Sequence, residues 1–296
     1  MNNKLDQFYT NPIICLKLIK IIKNLFKFSF KQFHFIEPSA GCGNFLDSLN
    51  KLKIKNKNIE TYDIEPKEDK RIIQKDYLTT KLKYAKNNLI IGNPPFGKRG
   101  NKALAFLNKA LNEADIVCFI LPNIFKRYSI QSKVNKNAKL IFSINLPEDS
   151  FLVNDKAYNV NCVFMIWINE KFKTFLPDLR LKRNMNADLE GFKTYIHNNT
   201  KNTLKYFDKE KYQWDFAVVR QGFYDYSEKI YDPKKLYKNR QYMFFVIKNE
   251  IMRKYIEEID FVQLSKNNTS TPGFSKLDVI DKIIELYQNE KFILYY

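Results

Sequence analysis

The chain has 296 residues, 45% of them hydrophobic, and its 50 Lys and Arg against 32 Asp and Glu give a formal net charge of +18. This apolar content excludes a disordered chain and supplies one large core, or a core domain with a smaller appendage. The positive charge favours polyanionic partners such as nucleic acid, although the codon bias of an AT-rich genome accounts for much of the Lys content.

The four cysteines are widely spaced, with no CxxC pair, and only two histidines are present. This pattern argues against a zinc site and against a disulfide framework. No secretory signal is visible, and no apolar run approaches the roughly 20 residues that cross a membrane. We therefore expect no metal and no membrane contact, and a location in the cytoplasm or another reducing intracellular compartment.

Residues 11–28 carry apolar positions at helical spacing with Lys between them and predict an amphipathic helix. Short apolar runs then alternate with helix-like segments. The runs, which predict strands, cover 33–38, 59–64, 71–76, 88–95, 115–122, 139–147 and 160–168. The helices predicted between them cover 43–53, 101–113 and 123–135. This alternation predicts an α/β fold, Rossmann-like and doubly wound, with a mostly parallel seven-stranded sheet and an antiparallel edge strand formed from the last two runs.

The alternating pattern fades beyond residue 170, which predicts a domain boundary near 172. Residues 1–171 would then form the α/β domain. Residues 172–296 would form a smaller C-terminal extension or a second domain. Polar and aromatic residues there, at 214–216, 220–222 and 270–274, could touch nucleic acid, but most of them are expected to be structural.

Polar turns follow the first three predicted strands. Residues 37–45 (EPSAGCGNF) leave a strand and enter a helix, and a Gly-containing turn there lets a ligand approach the backbone beside exposed helix amides. About twenty residues later, Asp63 and Glu65 end the next strand, where a carboxylate can accept hydrogen bonds from two ribose hydroxyls. Asp76 ends the third run. Each is also a common kind of surface turn, but together they predict a nucleoside site at the carboxyl edge of the sheet.

The fourth strand ends in Asn93-Pro94-Pro95-Phe96-Gly97. Two prolines after an Asn stiffen the backbone and remove amide donors, leaving carbonyl acceptors. The Asn93 carboxamide oxygen and the Pro94 carbonyl can both accept hydrogen bonds from a single NH₂ group, and the Phe96 ring can stack on the base that carries it. This sequence is a far more specific indicator of function than a Gly-containing turn.

DQFYT (6–10), EPSAGCGNF, YDIEP, DY and NPPFG, in this order and at these spacings, resemble the class I amino-methyltransferases that act on adenine N6. Their order resembles the gamma arrangement of DNA adenine methyltransferases, and the resemblance covers roughly residues 5–168. It implies S-adenosylmethionine as cofactor, the catalytic domain in residues 1–171, and a target-recognition region in residues 172–296.

The resemblance also implies roles for individual residues. Thr10 would hold the methionine carboxylate of the cofactor, Asp63 (with Glu65 as the alternative) its ribose hydroxyls, and Asp76 its adenine amine. The full cofactor set is Phe8, Tyr9, Thr10, Glu37, Pro38, Ser39, Gly41, Gly43, Asp63, Ile64, Asp76 and Asn93. The catalytic, target-base set is Asn93, Pro94, Pro95 and Phe96. Lys98, Arg99 and Lys102, just after this set, are expected to contact phosphates.

The sequence thus predicts direct methyl transfer to adenine N6, with DNA favoured over RNA by the motif order and the C-terminal extension. RNA methylation is the alternative. Methylation of protein glutamine amides uses a similar Asn-Pro-Pro element, and the basic charge argues mildly against it. A catalytically inactive methyltransferase fold that binds nucleic acid is the non-enzyme alternative, which the retained Asn93 and Gly turn disfavour.

Overall fold

A computed structural model describes residues 9–27, 29–67, 69–153, 156–181, 191–268 and 271–293, with the side chains of 288–293 excepted. The chain divides into two compact units, Met1–Arg180 and Leu181–Tyr296. The boundary near residue 172 drawn from the sequence stays a prediction. Phe8 of the expected cofactor set lies outside the described residues.

The first unit contains ten strands and four α-helices among its described residues. The strands are β1 (Tyr9–Thr10), β2 (His34–Glu37), β3 (Ile59–Asp63), β4 (Ile73–Gln74), β5 (Asn88–Gly92), β6 (Ile116–Pro122), β7 (Lys139–Asn145), β8 (Phe151–Val153), β9 (Lys156–Tyr158) and β10 (Cys162–Ile168). The helices are α1 (Pro12–Leu25), α2 (Asn44–Lys51), α3 (Asn101–Glu113) and α4 (Tyr128–Gln131). Short 3-10 helices cover Phe30–Gln32, Asn56–Asn58, Lys98–Gly100 and Asn123–Lys126.

Seven of these strands form one sheet in the order β4-β3-β2-β5-β6-β10-β7. Strands β4, β3, β2, β5 and β6 are parallel, and β10 is antiparallel to both of its neighbours. The predicted fold class is confirmed, with the antiparallel strand lying one position in from the edge. Every residue of β5, β6 and β10 is buried, which is why these segments read as continuous apolar runs rather than as alternating ones.

Two features of this unit differ from the sequence-based expectation. The helix predicted over 123–135 is only a 3-10 turn followed by α4, because Arg127 adopts an extended conformation (φ −86°, ψ 139°) and interrupts the helical hydrogen bonds. A second sheet, β1-β8-β9, was not predicted. In it, Tyr9 and Thr10 pair antiparallel with Leu152 and Phe151, which fixes the short N-terminal strand.

The second unit is built on a three-stranded antiparallel sheet with its own core. Its strands are β11 (Phe192–His197), β12 (Phe216–Gln221) and β13 (Gln241–Ile247), in the order β11-β13-β12. Its helices are α5 (Lys209–Tyr212), α6 (Glu250–Glu257), α7 (Phe261–Ser265) and α8 (Lys276–Ile293), and 3-10 helices cover Lys201–Phe207 and Pro233–Lys235. Trp214 and Phe216 are buried in this core, in agreement with a structural role for the 214–216 cluster.

Candidate cofactor and target-base site

One cavity of the first unit lies at the carboxyl edge of the parallel strands, where ligands of open α/β sheets bind. Twelve residues expected from the sequence line it: Tyr9, Thr10, Glu37, Pro38, Ser39, Gly41, Asp63, Ile64, Asp76, Asn93, Pro95 and Lys102. They come from the ends of β1, β2, β3 and β5, from the segment after β4 and from α3. Segments separated by more than 80 residues in the chain therefore meet in one cavity.

The turn between β2 and α2 depends on two glycines with left-handed backbone angles, Gly41 (φ 55°) and Gly43 (φ 82°). A Cβ atom on Gly41 would lie 3.0 Å from the Tyr9 ring, so glycine permits the close approach of this ring. Gly43 does not line the cavity. It caps the start of α2, and its amide donates to the carbonyl of Ala40.

Asp63 connects this turn to the end of β3. Its Oδ2 accepts a hydrogen bond from the Gly41 amide at 2.7 Å, and its Oδ1 accepts one from the Glu65 amide at 2.9 Å. A carboxylate can accept about four hydrogen bonds, so two acceptor positions remain for a ligand. Glu65, the alternative acidic residue, also lines the cavity.

Two buried polar atoms in the lining lack a hydrogen-bond partner among the described residues: Thr10 Oγ1 and Glu37 Oε2. Glu37 is 2% exposed, and its burial, followed by the nearby Asp63 carboxylate, raises its pKa well above the ordinary value. Thr10 is held in place by the β1–β8 pairing and by the Asn44 Nδ2 amide, which donates to its carbonyl at 2.7 Å. Buried polar atoms left unpaired cost free energy, so these two are suited to a ligand that carries a cation and hydrogen-bonding groups.

The Asn-Pro-Pro-Phe segment enters the same cavity through Asn93 and Pro95. The Ser39 hydroxyl donates to the Asn93 carbonyl at 3.1 Å, which joins this segment to the glycine turn. Pro94 is buried and does not line the cavity. Phe96 is 7% exposed and packs in the core, so its expected stacking on a base requires its ring to turn outward.

The three expected phosphate-binding residues lie directly beyond this segment. Lys98 and Arg99 are exposed in the 3-10 turn before α3 and are absent from the cavity lining. Lys102 lines the cavity, because the Phe96 carbonyl accepts from its amide at 3.1 Å and folds α3 back over Gly97.

The lining also contains residues that the sequence did not single out as cofactor-binding. They are Ala40, Cys42, Asn44, Phe45, Leu78 and Phe106. Phe106 lies one helical turn after Lys102 on α3, and Leu78 lies two positions after Asp76. Helical spacing from Lys102 and proximity to Asp76 were the available signals, but neither distinguishes a lining side chain from a core one.

Within the described ranges, no helix is long and apolar enough to cross a membrane. The same residues contain no group of three or more His, Cys, Asp or Glu side chains placed to hold a metal ion.

Residues 39–160, about two fifths of the chain, match the family model described as the EDM2 methyltransferase-like domain. The match runs from the glycine turn to the segment before β10 and includes Asp63, Asp76 and Asn93. Together with the fold, this similarity supports a methyltransferase-like domain in the first unit. No curated protein sequence matches the chain.

Several solved structures share parts of the fold. A candidate RNA methyltransferase from Pyrococcus horikoshii is 16% identical with a TM-score of 0.39, over 56% of this chain and 87% of that chain. The 23S rRNA methyltransferase ErmE is 12% identical with a TM-score of 0.39, over 58% and 72%. The Type IIL restriction-modification enzyme MmeI, solved with DNA, is 15% identical with a TM-score of 0.36, over 51% and 36%.

Proposed function

We propose that the chain is an S-adenosylmethionine-dependent methyltransferase that methylates the N6 amine of adenine in DNA. The observation that carries the proposal is that Asn93 and Pro95 line the same cavity as Thr10, Glu37 and Asp63. A target amine bound by the Asn-Pro-Pro segment would therefore lie beside a cofactor bound by the other residues.

The residues present fit this cofactor. The glycine turn gives room at the backbone, Asp63 retains acceptors for two ribose hydroxyls, and the unpaired Glu37 and Thr10 oxygens suit the ammonium and carboxylate ends of an amino acid. Ile64, Leu78 and Phe106 offer apolar surface for an adenine ring, and Asp76 offers an acceptor for its amine. When bound, the cofactor supplies an electrophilic methyl group on a sulfonium.

The protein's part in the reaction is positioning. The N6 lone pair of adenine is delocalised into the ring, so the amine is a poor nucleophile. The Asn93 side-chain oxygen would accept one amine proton in a hydrogen bond. The Pro94 carbonyl would accept the other and aim the lone pair into the cavity, which requires the segment to shift because Pro94 does not line the cavity. Catalysis then rests on orientation and electrostatics, with no covalent intermediate on the enzyme. A base in a duplex would have to leave the stack to reach these acceptors.

Asp63 and Glu65 offer a test of the cofactor site that is independent of the substrate. Asp63→Ala should weaken cofactor binding by about 1–3 kcal/mol in calorimetry, because a charged acceptor is lost. Glu65→Gln, the matched change on the neighbouring acid, should alter it less. If Glu65→Gln weakens cofactor binding more than Asp63→Ala does, Glu65 holds the ribose. If neither variant differs from the wild type, this edge of the sheet does not bind the cofactor.

Incubation with labelled cofactor and separate DNA and RNA pools, followed by nucleoside analysis, tests the substrate. N6-methyladenine in the DNA pool is the expected product. The same product in the RNA pool alone would move the proposal to RNA. Methylcytosine or a methylated protein amide would overturn the assignment to adenine.

A further inference from the structure

Three loops of the second unit meet at one end of its sheet. Because β13 is antiparallel to both β11 and β12, the ends of β11 and β12 and the start of β13 lie at the same end. His197 Nε2 donates to the Lys238 carbonyl at 3.1 Å, and its Nδ1 is hydrogen-bonded to the Thr203 hydroxyl at 2.7 Å. The loop before β13 is therefore fastened to β11.

Arg220 fastens the third strand at this end. Its Nη1 donates to Asn198 Oδ1 at 2.6 Å, just after β11, and to Gln241 Oε1 at 3.2 Å, at the start of β13. Through these two hydrogen bonds, the guanidinium links the end of β12 to the residue after β11 and to the start of β13. The 220–222 cluster, expected from the sequence to be structural, contains this cross-link and the Gly222 turn that follows it.

A second arginine at this end, Arg240, contacts aromatic rings rather than a carboxylate. The guanidinium of Arg240 lies 4.7 Å from the centre of the Tyr224 ring and 4.2 Å from that of Tyr237. Among the described residues, no ion pair and no side-chain hydrogen bond includes Arg240. Gly222 (φ 116°) supports the arrangement, because a Cβ atom there would come within 2.5 Å of the Tyr224 ring.

An arginine oriented in this way has its N–H donors available to a ligand. The fork of donors on a guanidinium matches the geometry of a phosphate. Two exposed tyrosine rings contact the guanidinium without neutralising its charge, so an anionic ligand would meet a donor that is already held in place.

An exposed aromatic ring directly precedes Tyr224 in the chain. Phe223, next to Tyr224, is 78% exposed, which is unusual for an apolar side chain with a large ring. The segment 220–240 has six basic and three acidic side chains, so its charge complements a polyanion. Exposed aromatic rings next to basic side chains are the combination by which proteins bind single strands, since the rings stack on bases and the cations meet phosphates.

We propose that this end of the second sheet, called here the loop end and formed by Arg220, Gly222–Tyr224 and Tyr237–Arg240, binds single-stranded nucleic acid. Arg240 contacts a phosphate and Phe223 stacks on an unpaired base. A single strand is favoured over a duplex because a protruding ring can stack only on a base whose face is open. The inference rests on the proposed function in that it names the part of the substrate that the second unit binds.

The test is the affinity of the full chain for a fluorescent single-stranded oligonucleotide of mixed sequence, measured by anisotropy without cofactor. Phe223→Ala should weaken binding about fivefold or more, as expected when stacking on one base is lost. Arg240→Gln should weaken binding and reduce the slope of log affinity against log salt by about 0.7, the value for one phosphate contact on a single strand.

Two matched controls lie elsewhere in the same unit. Lys248→Gln removes the same charge just after the far end of β13, and Tyr231→Ala removes an aromatic ring, 58% exposed, beside the Ala217–Ile230 bridge near the start of β12. Both should retain the wild-type salt slope and nearly the wild-type affinity. Circular dichroism melts should show that all four variants fold.

Equal losses in the loop-end and control variants would overturn the proposal, and so would wild-type affinity in both loop-end variants. The absence of single-strand binding by the wild type would also overturn it, as expected if the loop end binds a protein. The failures are separable. If the wild type forms N6-methyladenine but Arg240→Gln leaves the single-strand affinity unchanged, this inference alone is refuted. If Arg240→Gln weakens single-strand binding but the wild type forms no N6-methyladenine, the proposed function alone is refuted.

Discussion

Glu37 combines deep burial with a hydrogen-bonding oxygen that has no partner among the described residues. Its pKa is raised, mainly because burial disfavours the ionised form of the carboxyl. An acid whose pKa is higher in the folded state than in the unfolded state contributes its full stabilisation of the fold at pH values below the unfolded-state pKa. That contribution is lost as the pH rises through the folded pKa. A cationic ligand would reverse the preference, because it stabilises the ionised carboxylate.

Glu37→Gln should therefore have opposite effects on stability and on binding. The melting temperature of the cofactor-free protein should rise at neutral pH, because the amide carries no ionisation cost. Cofactor affinity should fall by about 1.5–3 kcal/mol, the range for a hydrogen bond to a charged group, and should lose its increase with pH. Thermal melts and calorimetry across pH measure both. A variant with the wild-type pH profile of cofactor binding would remove Glu37 from the site.

At the scale of elements, the turn between β5 and α3 determines which side chains of α3 reach the cavity. Gly97 has a φ of 66°, and a Cβ atom there would lie 2.7 Å from Lys102 Cβ and 3.1 Å from the Lys102 backbone nitrogen. The close return of the chain at Gly97 brings the first turns of α3, with Lys102 and Phe106, against the Asn-Pro-Pro segment.

Gly97→Ala should move the start of α3 and disturb the cavity. We expect a loss of stability above about 1 kcal/mol, since both the positive φ and the backbone contact oppose a side chain, and weaker cofactor binding because Phe106 shifts. Ala105→Gly is the control: it costs roughly 1 kcal/mol on an exposed position of the same helix and should leave cofactor binding unchanged. Equal cofactor affinity in both variants would show that the turn does not set the cavity.

The elements that the sequence predicts are those whose burial leaves a continuous or a periodic apolar pattern. The runs that became β5, β6 and β10 are wholly buried and were found as strands, and α3 was found over its full span. The predicted helix over 123–135 was wrong because an extended Arg127 has no signature in the side-chain pattern. The β1–β8 pairing joins residues about 140 positions apart, which local periodicity does not reveal.

The candidate site was predicted to a similar extent and for a similar reason. Turn residues such as Gly41 and Asp63 stand out in a sequence with only 8 glycines. Phe106 resembles any other core position of an amphipathic helix, and only the tertiary fold directs it to the cavity. The inward position of Phe96 likewise depends on packing that the motif does not specify.

At the scale of the whole molecule, the positive charge is unevenly distributed along the chain. Residues 1–150 hold 26 basic and 13 acidic side chains, and residues 151–296 hold 24 and 19. The first part includes the exposed Lys98 and Arg99 beside the Asn-Pro-Pro segment. A polyanion attracted by this charge would reach the cavity with phosphates near both side chains.

Lys98→Gln and Arg99→Gln should each weaken binding to DNA of any sequence and reduce the salt slope by about one unit. Neither should change cofactor affinity, since neither side chain lines the cavity. Lys102→Gln should affect both the salt slope and the cofactor affinity, because Lys102 lines the cavity. Fluorescence anisotropy over a salt series measures the slopes. If a variant keeps the wild-type salt slope, the residue that it replaces does not contact a phosphate.

The central claim is that the Asn-Pro-Pro segment orients a target amine beside the cofactor, and Asn93→Ala tests it most directly. The backbone carbonyl that accepts from Ser39 is retained, so the turn should persist. Methyl transfer to adenine should fall by ~10²–10³, the usual cost of removing one hydrogen-bonding group from a transition state, while cofactor affinity changes far less. Single-turnover transfer and calorimetry on the same preparations measure the two quantities. Transfer at the wild-type rate, or no transfer to any DNA or RNA pool by wild type and variant alike, would contradict the account.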